Sequence, residues 1–166
     1  MALQYGWVPK EFPTQCVCGS SFSVEHALSC NRRSFPTLRH NEVRDLTATL
    51  LMEVCSNVEV EPPLQELSGE VLARSANLDR GAHSDVAVDG FWEPGRVRTF
   101  CDIRVFNPFA PTNRKSSISS TYRAQESEKK RQYNQRITEI ERGSFSPLVF
   151  SSSGGMGREA TIFIRD

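Results

Sequence analysis

At 166 residues, 38% of them hydrophobic, the chain is long enough for one domain of ordinary size with an appendage. Its apolar runs are far shorter than the ~20 residues a bilayer-crossing helix needs, which excludes a membrane span, and residues 1–13, with Trp7, Lys10 and Glu11, lack the continuous apolar stretch of a secretory signal. An intracellular protein is expected. The formal net charge is zero, but residues 1–90 hold 7 Lys+Arg against 12 Asp+Glu, while residues 104–142 hold 9 against 4. An acidic half that can collect cations beside a basic stretch that can meet phosphate suits an enzyme acting on nucleic acid; a solvated basic helix is the competing reading.

Residues 1–36 are rich in Pro, Ser, Cys and Arg and read as a loop-built module. Three of five cysteines, Cys16, Cys18 and Cys30, crowd beside His26, which favours metal over a disulfide framework. These are four soft or borderline donors of the kind tetrahedral Zn2+ takes, with Gly19 permitting a tight turn. A single residue between the first two cysteines strains chelation by both, so unligated thiols remain the alternative. So small a module cannot fold on burial alone, and zinc would hold a loop presenting Arg32 and Arg33 to nucleic acid. Plain surface charge is the other reading of those arginines.

From Thr37 to Cys55, Val43, Leu46, Leu50, Leu51 and Val54 recur at helical spacing, predicting a helix. Val58 to Val60 predicts a short strand stopped by Pro62-Pro63, and Gly69 to Leu78 is ambiguous. His83–Gly90 and Val97–Phe106 are β-branched and aromatic runs around a stretch with Asp89-Gly90 and Pro94-Gly95, which predicts a hairpin. A Pro/Ser/Asn loop over 107–120 leads to a long helix over 121–142 with Gly143 as its stop. Phe145 to Ser151 reads as a strand and Ser152 to Gly157 as a glycine-rich loop; the tail from Arg158 reads equally as helix or strand. Helix, three strands, helix, strand make an α/β sandwich on a mixed sheet. Cys55 and Cys101, inside apolar runs, are expected in its core.

Period-2 alternation puts Phe100, Asp102, Arg104 and Phe106 on one face of the third strand and Cys101, Ile103 and Val105 on the other. Asp85 stands in the same predicament on the preceding strand: an acid among Val86, Ala87 and Val88. If the strands pair, the two acids converge, and like charges buried together need a cation. A hard divalent ion, Mg2+ or Mn2+, takes one or two carboxylates plus waters and phosphate oxygens, and can activate water against a phosphodiester. The other reading places the acids in turns or in ion pairs with Arg98 and Arg104. On the long helix Glu126, Lys130, Tyr133, Ile137 and Ile140 share a face at steps of four and three. Lys130 there can hold the attacking water or the phosphate; an ordinary Glu126–Lys130 ion pair is the alternative.

Arg39-His40-Asn41-Glu42-Val43, Ser84-Asp85-Val86, Cys101-Asp102-Ile103-Arg104-Val105 and Lys130-Arg131-Gln132-Tyr133, with a Cys/His knuckle upstream, resemble the restriction-like endonuclease domain of site-specific non-LTR retrotransposons. That domain belongs to the PD-(D/E)XK superfamily, whose core has the element order read above. The resemblance spans about residues 16 to 151 and implies a small zinc knuckle and arm over 1–36, then an α-β-β-β-α-β nuclease core over 37–166. By it, Asp85 and Asp102 match the metal-binding acids, Lys130 a lysine moved from strand to helix, and Tyr133 the tyrosine after it. His40 and Asn41 match a helix-start motif, and Glu42 within it is a further candidate catalytic group. Ser84 replaces the usual proline, which only stiffens the turn. Arg104 stands where lysine is usual, and a permanently charged arginine transfers protons poorly.

The expected activity is Mg2+-dependent cleavage of DNA by a mobile-element-derived, nuclear protein, with a reverse-transcriptase domain or another mobile-element protein as partner. Phosphate contacts are expected from Arg32, Arg33, Arg39, His40, Arg114, Lys115, Arg123, Lys129 and Arg131. Two rivals stand beside it: a DNA-binding module with a decayed nuclease site, and a purely structural zinc-stapled fragment.

Overall fold

The computed structural model describes residues 13–30, 32, 35–92 and 97–165. Its elements are α1 (Val24–Ser29), α2 (Phe35–Val54), β1 (Ser56–Val60), β2 (Val86–Asp89), β3 (Arg98–Phe106), α3 (Ile118–Arg136), β4 (Ser144–Ser151) and α4 (Arg158–Arg165). A π-helical turn, Ile137–Glu141, ends α3. The four strands lie side by side in chain order, β1-β2-β3-β4. β1/β2 and β2/β3 are antiparallel and β3/β4 is parallel, so the sheet is mixed.

The hairpin pairs Val86 with Cys101 through Asp89 with Arg98; its predicted tip at Pro94-Gly95 lies outside the described residues. β1 is stopped where expected, with Pro63 leaving the sheet to bridge His83. β4 runs beside β3 over eight pairs from Thr99–Ser144 to Phe106–Ser151, with Pro147 opposite Asp102. Proline is tolerated there because β4 is an edge strand and its ring nitrogen owes nothing to the ladder. The ambiguous 69–78 stretch forms no helix or strand, and the ambiguous tail is the helix α4.

Alternation along the strands sends side chains to two cores. Val86, Val88, Cys101, Ile103 and Leu148 meet Ala48 and Leu51 of α2 and Ala160 and Phe163 of α4. On the other face Ala87, Phe100 and Phe145 meet Ile137, Leu64 and Ala82, with Tyr133 packed alongside. The sheet is therefore the middle of three layers. The expected division of β3 holds, as do the core positions of Cys101 and, partly buried, Cys55.

Two helices keep only part of the inward stripe read from their sequences. α2 buries Ala48 and Leu51 and packs Val43 against the same core, whereas Leu46, Leu50 and Val54 face outward; the strands β1, β2 and β3 beneath it fix which stripe is covered. On α3 the inward residues are Tyr122, Glu126, Lys129, Tyr133 and Arg136, at spacings of four and three, and Lys130 is exposed. Gly143 is not the residue in the left-handed region: that is Arg142, with φ 57°. Gly143 is required by space instead, since a Cβ would stand 2.7 Å from the Arg98 carbonyl oxygen.

Arg136 has no exposed surface. It donates from Nη1 to the carbonyls of Asn77 (2.9 Å) and Asp79 (2.7 Å) and from Nη2 to Gln65 (2.8 Å), clamping the long connection from β1 to β2 onto α3. No helix among the described residues is long and apolar enough to cross a membrane.

Candidate functional site

A mixed sheet opens where antiparallel β2 begins beside the middle of β3, and there the two acids meet. Asp85 sits one residue before β2, yet the ladder reaches it: its N–H donates to the Cys101 carbonyl (3.1 Å) and its carbonyl accepts from Glu61 (2.9 Å). Its carboxylate is fixed from two sides. Oδ2 accepts the Ile103 N–H at 2.5 Å, and Oδ1 lies 3.0 Å from His40 Nε2 on α2. That hydrogen bond, outweighing burial, raises the His40 pKa above its ordinary value.

Asp102, next to Ile103 in β3, is 5% exposed. Lys129 Nζ, reaching in from α3, stands 2.6 Å from its Oδ2. Burial raises the Asp102 pKa, Lys129 opposes that, and the charge of Asp85 adds to the rise. Burial first, then both carboxylates, also push the Cys101 thiol far up. The acids are thus electrostatic neighbours, Asp102 on β3 and Asp85 at the entrance to β2, the arrangement in which a shared cation relieves repulsion.

The residues singled out from sequence distribute unevenly around this point. His40, Asp85 and Asp102 come together. Lys130 does not join them: its ammonium pairs with Glu159 of α4 at 2.9 Å, because α3's inward stripe runs through Lys129. The alternative reading, a Glu126–Lys130 pair, does not form either: buried Glu126 accepts the Glu159 N–H at 3.0 Å in the first turn of α4. Tyr133 stacks on Phe145 with centroids 5.7 Å apart, takes a hydrogen bond from Asn77 at 3.2 Å, and has Lys129 Nζ 5.5 Å from its ring centre. It packs beside the lysine. Glu42 is exposed, as is Arg104.

Lys129, placed by sequence among the phosphate contacts, is the cation at Asp102; helical phase alone separates it from Lys130, and only the packed partners of α3 reveal it. Ser84 also does more than stiffen a turn. Fully buried, it donates its N–H to Pro62 (3.2 Å) and its hydroxyl to the Val86 carbonyl (3.2 Å), bonds that proline cannot make. Of the other basic candidates, Arg39 lies at the start of α2, Arg32, Arg114, Lys115 and Arg123 are exposed, Arg131 pairs with Glu128, and Arg33 lies outside the described residues.

The second cluster is the knuckle. Thr14 to Phe22 folds back on itself through a Gln15–Ser21 bridge, and Gly19, at φ 89°, makes the turn that carries Cys16 and Cys18. The Ser23 side chain caps α1 by accepting the His26 N–H at 3.0 Å, so that α1 delivers His26 and, at its end, Cys30. The four donor atoms lie within 4.8 Å of one another. Cys16 and Cys30 sulfurs are 3.7 Å apart, close to the ~3.8 Å between two thiolates on a tetrahedral zinc. Cys18 Sγ is 3.1 Å from His26 Nε2. Hydrogen bonds from Ser20 lower the Cys18 pKa to about 6, favouring the thiolate a metal needs. The donor set and its spacing fit zinc.

No protein-family model matches the sequence, and no curated protein matches it either.

Proposed function

We propose that this chain is a divalent-metal-dependent DNA endonuclease, with a zinc knuckle that helps present the substrate. One observation carries the reading: a buried aspartate on β3, neutralised by an inward lysine of α3, lies beside a second aspartate locked in place by β3's own backbone and by His40. Carboxylates held this firmly at the cost of desolvation are characteristic of sites where charge is used. The element order α2-β1-β2-β3-α3-β4 and the quoted motifs support assignment to the PD-(D/E)XK nucleases, and through them to a mobile-element origin, a nuclear place of work and a reverse-transcriptase partner.

In this reading Asp85 and Asp102 would hold Mg2+ or Mn2+, which supplies an activated water and stabilises charge on the phosphate. The Ile103 amide and His40 fix Asp85 for that task. Lys129, at Asp102, is placed to orient water or steady a phosphate oxygen. Arg104, further along the same face of β3, meets the substrate backbone as a fixed charge.

The test is nicking of supercoiled plasmid with and without Mg2+ by the wild type and by Asp102→Asn. Metal-dependent nicking lost in the variant supports the proposal; equal nicking by both rejects it. The second reading, a DNA-binding module with a decayed site, draws on Arg104 occupying the usual lysine position, and it predicts DNA binding without turnover at any metal concentration.

A further inference from the structure

Between the knuckle and the core lies a cavity of about 580 Å3, walled by α1, the start of α2, the end of β3, the 107–113 loop and Gln125 of α3. Its volume falls in the ~300–1,000 Å3 range of sites that enclose a small molecule or a single nucleotide. Three basic side chains, Arg39, His40 and Arg104, line it, and no Asp or Glu does.

Two of those cations, Arg39 and Arg104, are not consumed by the protein; His40 bonds Asp85. Arg104 has neither an ion-pair nor a hydrogen-bond partner among the described residues, and neither does the amide of Gln125. The Arg39 Nε is buried without a partner, and its guanidinium reaches only the Leu28 carbonyl, at 3.5 Å. A cavity that gathers positive charge, excludes carboxylates and leaves guanidinium donors unsatisfied is built for an anion. Its wall is also the wall of the acid pair: His40 bridges to Asp85, and Arg104 lies two residues beyond Asp102 on the same face of β3.

We propose that this cavity takes one unpaired nucleotide of a DNA strand, its phosphate on Arg39 and Arg104 and its base toward Gln125. That it flanks the scissile phosphate rests on the nuclease reading; the binding itself does not. A nucleotide stacked and paired in a duplex can lay its phosphate across the mouth but cannot enter a concavity. Entry requires leaving the stack, which costs a few kcal/mol in paired DNA and least where the nucleotide is already unpaired. The preferred substrate is therefore duplex with an extrahelical or frayed nucleotide.

Fluorescence anisotropy without added divalent metal, on the full chain with zinc bound, tests this against a perfect duplex and the same duplex carrying one bulged nucleotide. The bulged DNA should bind at least ~10-fold tighter. Arg104→Ser, at an exposed and partnerless position, should remove most of that preference; Ala110→Trp, which fills the cavity, should bring the two affinities together. Equal wild-type affinities, or a preference surviving in both variants, overturns the inference. Nicking by the wild type is read separately: a bulge preference without turnover removes the nuclease and keeps the cavity, and turnover without preference does the reverse.

Discussion

Lys129 and Asp102 form an ion pair of 2.6 Å in the interior, while Lys130, the next residue, turns outward to Glu159. The two lysines separate by burial and partner. Lys129→Ala should cut plasmid nicking by about 100-fold or more, since it removes the cation at a buried carboxylate. Lys130→Ala should cost less than ~3-fold, because exposed ion pairs are worth little. Initial nicking rates for both variants decide it, and the reverse order would restore Lys130 as the site lysine.

Asp102 carries a stability cost that depends on pH. Its pKa is raised in the fold, first by burial, so the folded chain holds a proton that the unfolded chain releases over the interval between the two values. Stability contributed by that proton falls as pH rises through the interval. Asp102→Asn should accordingly raise Tm near neutrality, with the gain shrinking in acid below the ordinary carboxyl range. Thermal melts across pH check this, and a variant less stable at neutral pH contradicts it.

His40 should titrate above its ordinary value, because the Asp85 hydrogen bond outweighs burial. The stability it adds is complete below the unfolded-state value and is lost as pH rises through the folded one. In Asp85→Asn only burial remains among the larger influences, and the His40 pKa should drop. Ring-proton NMR titration of both proteins provides the measurement.

Arg136→Met should destabilise the fold by about 3 kcal/mol, since three part-buried carbonyls of the connection between β1 and β2 lose their donors together and the fully buried guanidinium that joined them is gone. Urea denaturation reads the change. A loss under ~1 kcal/mol would mean that water replaces the guanidinium.

Zinc content is equally measurable. Native mass spectrometry should find one zinc per chain, lost in Cys30→Ser. Far-UV circular dichroism of that variant should change little, because the two cores flanking the sheet contain none of the four donors. Retention of the metal by Cys30→Ser would redraw the ligand set.

How much of this was legible follows from the range of each interaction. The β2–β3 hairpin, β4 and the Cys/His cluster are written in short-range patterns, and alternation alone assigned Asp102 and Phe100 to the face opposite Cys101 and Ile103. The phase of a helix is different. Lys129 and Lys130 stand about 100° apart around α3, and which one turns inward is settled by Tyr122, Arg136 and Ile137 packing on elements far away in sequence. Arg136 itself looks like surface charge in a polar run. The basic cavity is assembled from four separated stretches of chain, so no local motif marks it.

Pro147 has one more effect. Because the midpoint of the outermost strand offers no amide hydrogen, and the Gly157 N–H already occupies the Val149 carbonyl at 2.8 Å, an incoming strand finds a broken row of partners there. Copies of the chain at high concentration therefore have little means of zipping together along this border.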